Sequence, residues 1–217
     1  MERPPLSLWS SYQRALRQRN EGLRSGDPNL VEIWEPALVT AGEAIDLARR
    51  AFLDRWLPAV KQRLAWLSPG LANLRIDYRR GWGKAHPGLA EALFSHRARD
   101  RSLGYTVAGP HRAELALRIE DAEARDRLSR GQSKIVALSM LLAMAEVYGA
   151  QGGGLPLLLL DDLESELDPE RFERVVAWLG DQGAQCLITG VNGVAKQQNA
   201  YPYRVFHVEQ GRITPLL

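Results

Sequence analysis

Cysteine, lysine and long apolar runs are all scarce in this chain of 217 residues. The single cysteine, Cys186, excludes an internal disulfide and fits a reducing compartment. Apolar runs such as residues 155–160 fall far short of the roughly 20 residues that a membrane helix needs. Residues 1–5 contain no apolar signal core. We therefore expect a cytoplasmic protein that neither crosses a membrane nor is exported.

A large excess of one charge is also missing, because the formal net charge is only +2. Basic residues nevertheless outnumber acidic ones within residues 1–24 and within residues 75–101. Most of them are arginines, whose forked guanidinium suits phosphate groups. These segments fit either solvated helix faces or a track for a DNA backbone. In the second case the candidate DNA contacts are Arg14, Arg17, Arg79, Arg80 and Lys84.

The first third of the chain has the periodicity of helices. Apolar residues recur at helical spacing over residues 9–23 and again over residues 45–67, with Gly26-Asp27-Pro28 as a break before the second stretch. Two helices joined by a short break predict an antiparallel arm, and Pro36 and Pro58 should interrupt or kink the second helix. The pattern changes at Ser68, so we predict a helical arm over 1–68 and a second domain over 69–217.

The rest of the chain alternates between strand and helix patterns. We predict helices at 87–101, 131–149 and 169–180, and strands at 74–78, 103–108, 115–119, 156–161, 185–189 and within 203–215. The strand predicted at 156–161, which is apolar up to Asp161, lies between helices. This order predicts an α/β fold with a parallel sheet covered by helices.

Two adjacent acids, Asp161 and Asp162, give the strongest chemical signal, because they directly follow the apolar run. That run predicts a buried strand, and ligands of open α/β sheets bind at the carboxyl ends of strands. Successive side chains on a strand diverge, so the two carboxylates cannot share one task. Asp161 could hold Mg²⁺, and Asp162 could polarise an attacking water. The alternative is a core strand that simply meets a turn.

Upstream of the acids, Leu128-Ser129-Arg130-Gly131-Gln132 has the pattern of a helix start. Ser129 followed by Gln132 forms a capping-box pattern. A helix start presents free backbone N–H groups and the positive end of its dipole, and Gly131 lets a phosphate approach the backbone. An ordinary capped helix is the alternative. Downstream, Asp168 and Pro169 predict a second capped start.

Taken in order, these segments resemble the ABC-type ATPases and, in detail, the RecF family. The similarity lies in Leu-Ser-Arg-Gly-Gln at 128–132, Leu-Leu-Leu-Asp-Asp at 158–162 and Ser-Glu-Leu-Asp at 165–168. Gly-Pro-His-Arg at 109–112 and Tyr-Gln-Arg at 12–14 also look like RecF segments. The resemblance covers about residues 9–190. It implies an ABC-ATPase-like C-terminal lobe, with a parallel sheet flanked by helices, and an N-terminal antiparallel helical arm.

The resemblance also implies roles for particular residues. Asp161 would be the Walker B carboxylate that holds Mg²⁺, and Asp162 would occupy the position of the catalytic acid. Asp168 would face a dimer partner, and Thr189 would be a weak sensor of the γ-phosphate. The γ-phosphate of ATP held by a second subunit would contact Ser129, Arg130, Gly131 and Gln132.

The function implied by this resemblance is that of a DNA replication, repair and recombination protein that also serves the SOS response. Such a protein binds ATP and Mg²⁺ and forms an ATP-dependent homodimer. It acts on DNA at single-strand gaps and junctions, where the partners RecR and RecO help to load the recombinase.

A phosphate-binding P-loop, Gly-x-x-x-x-Gly-Lys-[Ser/Thr], does not occur in this sequence. The only lysine preceded by glycine is Lys84, and the sixth residue before it is Tyr78. We therefore expect a RecF-type C-terminal part without the P-loop lobe, an incomplete ATPase that is inactive alone.

Two other functions fit parts of the pattern. A non-catalytic module that binds DNA or a partner protein fits the missing P-loop. The ATPase half of an ABC transporter fits less well, because the interval from Ser129 to Asp161 is long and Ile135-Val136-Ala137 replaces the arginine expected there. His111 and Arg112 either order a turn or contact a ligand.

Overall fold

The computed structural model describes residues 6–191 and 202–216. Its helices are α1 (Leu6–Ser25), α2 (Pro28–Leu67), α3 (Leu89–Leu103), α4 (Arg130–Tyr148), α5 (Leu163–Glu166) and α6 (Pro169–Asp181). Its strands are β1 (Leu74–Arg79), β2 (Glu114–Ile119), β3 (Ala122–Glu123), β4 (Leu158–Leu160), β5 (Cys186–Ile188), β6 (Phe206–Glu209) and β7 (Arg212–Pro215). Contacts group the chain into unit I, residues 1–57 and 73–127, and unit II, residues 58–72 and 128–217.

The first two helices form the predicted antiparallel pair. Gly26 takes a positive φ of 72° in the turn between them, and the Asp27 carboxylate accepts the Asn29 N–H at 2.9 Å at the start of α2. The helices approach closely, because a Cβ at Gly22 would lie 2.9 Å from the backbone nitrogen of Val31. The predicted interruption of α2 is wrong, since the helix is continuous through its two internal prolines.

The core of unit I lies between this helical pair and α3. Tyr12, Leu38, Leu89 and Leu93 are almost completely buried there. The antiparallel sheet β1–β2–β3 belongs to the same unit, and Leu74 of β1 pairs with Ile119 of β2. The contacts therefore group most of the arm, residues 1–57, with residues 73–127, whereas residues 58–72 belong to unit II. The predicted division into 1–68 and 69–217 stays a prediction about domains.

The strand predicted at 103–108 is wrong. Helix α3 continues to Leu103 and ends at Gly104, which has a φ of 73°. The next backbone N–H groups bond to side chains instead of a neighbouring strand: Thr106 donates to Asn20 Oδ1 and Val107 donates to Asp100 Oδ1, both at 2.9 Å. Because these acceptors lie far away in sequence or on the preceding helix, the alternating pattern of 103–108 could not reveal them.

His111 orders the chain near this segment. Its Nδ1 lies 2.7 Å from the Tyr12 hydroxyl, and its Nε2 lies 3.1 Å from the Thr106 carbonyl oxygen. These contacts favour the interpretation in which His111 orders a turn over the one in which it contacts a ligand. Arg112 behaves differently, because its side chain is exposed and its guanidinium lies 5.5 Å from the Tyr105 ring centre.

Unit II contains the parallel pair β4–β5, with Leu159 opposite Leu187. The apolar face of α4, residues 135, 138, 142 and 145, is buried, as are Phe172 and Val175 of α6. The prediction that the apolar run before Asp161 forms a buried strand is wrong as to its burial. Leu157 and Leu159 are 53% and 69% exposed, because described residues cover only the other face of this strand.

Residues Arg130–Gly152 form the one helix of the described chain that is long and apolar enough to cross a membrane by length and composition. Core helices of globular proteins meet the same test. Here α4 buries eight of its residues within the protein. We therefore assign α4 to the core. Strand structure predicted within 203–215 is confirmed, and β6 and β7 pair antiparallel as a hairpin.

Candidate nucleotide-binding site

The carboxyl ends of β4 and β5 lie side by side because the strands are parallel. Leu160 pairs with Ile188, and the N–H of Thr189 donates to the Leu160 carbonyl at 3.0 Å. The first side chains beyond the strands therefore meet. The Thr189 hydroxyl donates to Asp161 Oδ1 at 2.5 Å and accepts the Asp162 N–H at 2.8 Å. One threonine thus connects the ends of both strands to both acids.

Asp162 occupies the left-handed region, with a φ of 51°. Aspartate tolerates this conformation better than most residues. The turn aims its carboxylate away from Asp161: Asp162 Oδ2 accepts the Ser165 hydroxyl at 2.5 Å. The two carboxylates are therefore held by different hydroxyl groups, in keeping with two separate tasks. Ser165 belongs to the quoted sequence pattern, but its contact with Asp162 follows only from this turn.

The predicted capping box at the start of α4 is confirmed. The Ser129 Oγ accepts the Gln132 N–H at 3.2 Å, and the Gln132 Oε1 accepts the Ser129 N–H at 2.9 Å. Both residues use acceptor atoms in these bonds, so the Ser129 hydroxyl hydrogen and the Gln132 amide hydrogens remain available to a ligand. Arg130 and Gly131 are exposed, and no heavy atom lies within 4 Å of a Cβ built at Gly131. This helix start is open to an anion.

An ion pair connects the start of α4 to the segment that follows the acids. Lys134 of α4 pairs with Glu166 at the end of α5. Asp168, two residues later, caps α6 by accepting the Arg171 N–H at 2.9 Å, and its side chain also pairs with the Arg171 guanidinium. The bond from the Arg171 N–H lowers the pKa of the Asp168 carboxyl. Capping accounts for Asp168 within this chain, and a dimer contact stays a prediction.

The predicted nucleotide and DNA residues belong to different units. Ser129, Arg130, Gly131, Gln132, Asp161, Asp162, Asp168 and Thr189 belong to unit II, whereas Arg14, Arg17, Arg79, Arg80 and Lys84 belong to unit I. Within unit I, Arg79, Arg80 and Lys84 line one cavity, and Arg14 and Arg17 are exposed on α1. Sequence reasoning missed other residues of that cavity, among them Arg50, Arg99 and Tyr105. Only Arg99 falls within a segment that its local charge singles out.

The side chains around Asp161 suit a Mg²⁺ that is held jointly by the protein and by substrate phosphates better than one held by protein side chains alone. No group of three or more histidine, cysteine, aspartate or glutamate side chains converges within the described ranges. Protein sites commonly hold Mg²⁺ through one or two carboxylates together with substrate phosphates and water. Asp161, exposed at the strand end, fits that role.

Comparison with known proteins finds one family. The sequence model of the RecF/RecN/SMC N-terminal domain matches residues 27–214. The DNA replication and repair protein RecF of Stenotrophomonas maltophilia (strain R551-3) is 40% identical over 209 residues, which cover 96% of this chain and 57% of that protein. RecF of Pseudomonas aeruginosa (strain LESB58) is 36% identical over 214 residues, with coverage of 96% and 58%.

Solved structures agree in fold. The chain is similar to the structure of the recombination mediator protein RecF-ATP in the RecFOR pathway, with a TM-score of 0.78, 24% identity, and coverage of 97% of this chain and 58% of that one. The RecF-ATPrS structure gives a TM-score of 0.76. This likeness confirms the predicted ABC-ATPase-like fold with its helical arm. The chain spans a little under three fifths of the relatives it matches, 57–58% of their length. From its sequence and fold together, the chain belongs to the RecF/RecN/SMC N-terminal-domain family.

Proposed function

We propose that this chain contributes the signature and Walker B elements of a RecF-type ATPase that binds DNA in an ATP-dependent manner. The observation that supports this most is the geometry of unit II. Two strand ends carry Asp161, Asp162 and Thr189 in one hydrogen-bonded cluster, and an open capped helix starts at Ser129. These are the two kinds of group that a triphosphate with its cation requires.

Each residue takes a role that its contacts allow. Asp161 holds the Mg²⁺, which neutralises phosphate charge when it is bound. Asp162 orients the attacking water. The Ser129 hydroxyl and the Gln132 amide donate to the γ-phosphate of ATP held by a second subunit. Thr189 holds the two acids in place through the bonds of its hydroxyl group. We further propose that Thr189 senses the γ-phosphate.

The target we propose is DNA at junctions between single and double strands, where the protein assists recombinase loading with RecR and RecO. The names of the relatives support this: one group is described as DNA replication and repair proteins, and a solved relative as a recombination mediator in the RecFOR pathway. Such a protein acts in the cytoplasm as an ATP-dependent homodimer.

One sequence feature favours a second candidate, a non-catalytic module that binds DNA or a partner protein without nucleotide. The sequence contains no Gly-x-x-x-x-Gly-Lys-[Ser/Thr], so it offers no lysine-bearing loop for the β- and γ-phosphates. Under the leading proposal, that loop comes from outside these 217 residues. The transporter alternative receives no support from the family match.

The deciding experiment supplies the loop in trans. The chain is mixed with a RecF-family protein that carries a P-loop but has alanine at its own signature serine, and affinity for gapped DNA is measured with and without Mg-ATP. We expect Mg-ATP to strengthen DNA binding by the mixture only when the chain is intact. Ser129→Ala and Asp161→Asn should remove that gain, and Ser102→Ala, at an exposed serine of α3, should keep it.

An affinity that is the same with and without Mg-ATP, in the intact mixture and in the Ser129→Ala mixture alike, would contradict the leading proposal. If that ATP-independent affinity is nevertheless high, the non-catalytic module is the function.

A further inference from the structure

Unit I contains an open cavity of about 900 Å³ whose lining is strongly basic. Six cationic side chains surround it: Arg50, Arg79, Arg80, Lys84, Arg99 and Arg112. Three aromatic residues, Tyr78, Trp82 and Tyr105, complete much of the wall, and the lining includes no aspartate or glutamate. Since the net charge of the chain is only +2, this concentration of positive charge is local.

The cations of the lining differ in what neutralises them. Arg50 pairs with Asp46 at 3.0 Å, and Arg79 lies 3.7 Å from Glu114. By contrast, Lys84, Arg99 and Arg112 form no ion pair with any carboxylate in the described part of the chain, and all three are exposed. Three uncompensated cations around one hollow attract an anion that brings several negative charges.

Phosphate groups suit this lining. Their oxygens are hydrogen-bond acceptors only, and their negative charge complements the three unpaired cations.

The cavity is built by close backbone packing, so it is formed before any ligand arrives. Gly81 has a φ of 89°, its carbonyl accepts the Gly109 N–H at 3.0 Å, and a Cβ on it would lie 2.1 Å from the Gly109 carbonyl oxygen. Arg80 fixes the loop that follows by donating to the carbonyl oxygens of His86 and Pro87, and its guanidinium lies 4.9 Å from the Trp82 ring centre. Arg80 is therefore a positioning residue of the wall.

We propose that this cavity, the basic cavity of unit I, binds the backbone and a base of single-stranded DNA. The inference rests on the proposed DNA-binding function and names the surface that performs it. Exposed aromatic rings beside unpaired cations are the features with which proteins hold single strands, since bases stack on the rings while cations follow the phosphates. Tyr105, which is 40% exposed under the Arg112 guanidinium, is the stacking residue.

The dimensions favour a single strand over a duplex. A volume of 900 Å³ equals that of a cube with an edge of roughly 10 Å. A duplex is larger than that, since its major groove alone is ~12 Å wide. An unpaired nucleotide can enter such a space with its base, whereas a duplex could touch only the rim. We therefore expect preference for single strands without base specificity.

The test compares two triple variants of equal charge in fluorescence anisotropy without nucleotide. One replaces the unpaired cations of the cavity, Lys84→Gln, Arg99→Gln and Arg112→Gln. The control replaces basic residues of unit I outside the lining, Arg75→Gln, Arg101→Gln and Arg125→Gln. The probe is a labelled oligothymidine of about 15 nucleotides, within the usual range of single-strand site sizes.

We expect the cavity triple to weaken binding at least about tenfold and to reduce the slope of log K against log salt by about 2, since each lost phosphate contact removes roughly 0.7. The control triple should change affinity by no more than about threefold and leave the slope unchanged. Tyr105→Ala should weaken binding and Tyr105→Phe should restore it. Photo-crosslinking with 5-iodouracil in the probe should label Tyr105.

Four results would overturn the inference. In the first two, both triple variants weaken binding equally, or the intact chain binds a duplex of the same length more tightly than the oligothymidine. In the other two, pyrophosphate displaces the probe as effectively as unlabelled oligonucleotide does at equal phosphate concentration, or the intact chain does not bind the probe at all. If the intact chain binds and the cavity triple binds equally well, the cavity fails while the proposed function stands on another surface. The proposed function is tested by the effect of Mg-ATP on DNA affinity, whereas this test is carried out without nucleotide, so the two can fail independently.

Discussion

At the scale of single residues, Arg19 is the most heavily engaged charge in unit I. It is fully buried and donates to Asp100 Oδ2 at 2.8 Å and to Thr106 Oγ1 at 2.7 Å. Its other nitrogens donate to Glu35 Oε1 at 3.0 and 3.2 Å. Asp100 is also fully buried. A buried pair of this kind contributes little relative to an apolar pair, but removing one partner leaves the other as an uncompensated charge.

Arg19→Met is therefore expected to destabilise the protein by about 3–5 kcal/mol, measured as the free energy of unfolding in urea. Arg24→Met is the matched control on the same helix, because Arg24 and its partner Glu21 are both more than half exposed, and it should change stability by less than about 1 kcal/mol. Adding Asp100→Asn to Arg19→Met should recover part of the loss. Equal effects of Arg19→Met and Arg24→Met would show that the buried charge does not carry the difference.

His111 is held in its neutral form by its two partners. A carbonyl oxygen only accepts, so Nε2 carries the hydrogen that meets Thr106, and Nδ1 accepts from the Tyr12 hydroxyl. A proton on Nδ1 would force the Tyr12 hydroxyl to accept instead of donate. Burial lowers the pKa of His111, the nearby Arg112 charge lowers it further, and the Thr106 bond and the Asp100 charge oppose the shift.

A lowered pKa in the folded state makes stability depend on pH in a definite direction. Above the unfolded pKa of about 6.5 the contribution is fully present, and it is lost as the pH falls through the lower folded pKa, because the unfolded chain binds the proton more readily. We expect the melting temperature to fall as the pH is lowered below about 6.5, and the fall to be smaller in His111→Gln. An identical pH profile in the variant would exclude His111 as the source.

At the scale of elements, two variants at the start of α4 should change protein stability in opposite directions. Ser129→Ala removes the cap and should destabilise the protein by about 1 kcal/mol. Gly131→Ala adds a methyl group where no atom lies within 4 Å, at a helical position, and should stabilise the protein by about 0.4–1 kcal/mol.

Both variants should nevertheless weaken the Mg-ATP effect on DNA binding in the mixture with a P-loop protein. Ser129→Ala removes the hydroxyl that donates to the γ-phosphate, and the methyl group added in Gly131→Ala blocks the approach of a phosphate to the backbone. Urea unfolding and the DNA assay measure the two effects separately. A Gly131→Ala protein that is more stable and keeps its full ATP response would count against a phosphate at this helix start.

Sequence patterns predicted elements well where local chemistry specifies them. The capping box sets the start of α4, and Asp168 with Pro169 sets the start of α6. They failed where distant groups decide the structure. In segment 103–108, the backbone N–H groups of Thr106 and Val107 donate to the Asn20 and Asp100 side chains, so the alternating apolar pattern of the segment does not make a strand. The exposure of Leu159 also depends on which helices cover the sheet, and an apolar run alone carries no such information.

The candidate site was predictable in its residue types and not in its contacts. Strand-end acids and the helix start follow from spacing, because parallel strands end at one edge. The bonds of Thr189 to both acids depend on the register of β4 against β5, which only the structure gives. The basic cavity draws Arg50 from α2 and Tyr105 from the loop after α3, so a charge count along the chain could find it only in part.

At the scale of the whole molecule, the two units divide the chemistry. Unit II carries every predicted nucleotide residue, and unit I carries every predicted DNA contact and the basic cavity. Unit II offers a carboxylate for Mg²⁺ and donors for a terminal phosphate, but the sequence provides no loop that encloses the β- and γ-phosphates. Catalysis of phosphoryl transfer depends mainly on positioning and on charge stabilisation around that phosphate, and these 217 residues do not include a P-loop to position it.

The purified chain should therefore hydrolyse no ATP by itself. The measurement is phosphate release in the presence of Mg²⁺ and DNA, with an Asp161→Asn preparation as the control for contaminating ATPases, since that variant lacks the proposed Mg²⁺ carboxylate but purifies in the same way. We expect equal background rates from both preparations, and a rate that depends on Asp161 only after a P-loop protein is added. Turnover by the chain alone that disappears in Asp161→Asn would mean that unit II binds and hydrolyses ATP without a P-loop, and the proposed need for a loop outside these 217 residues would then be wrong.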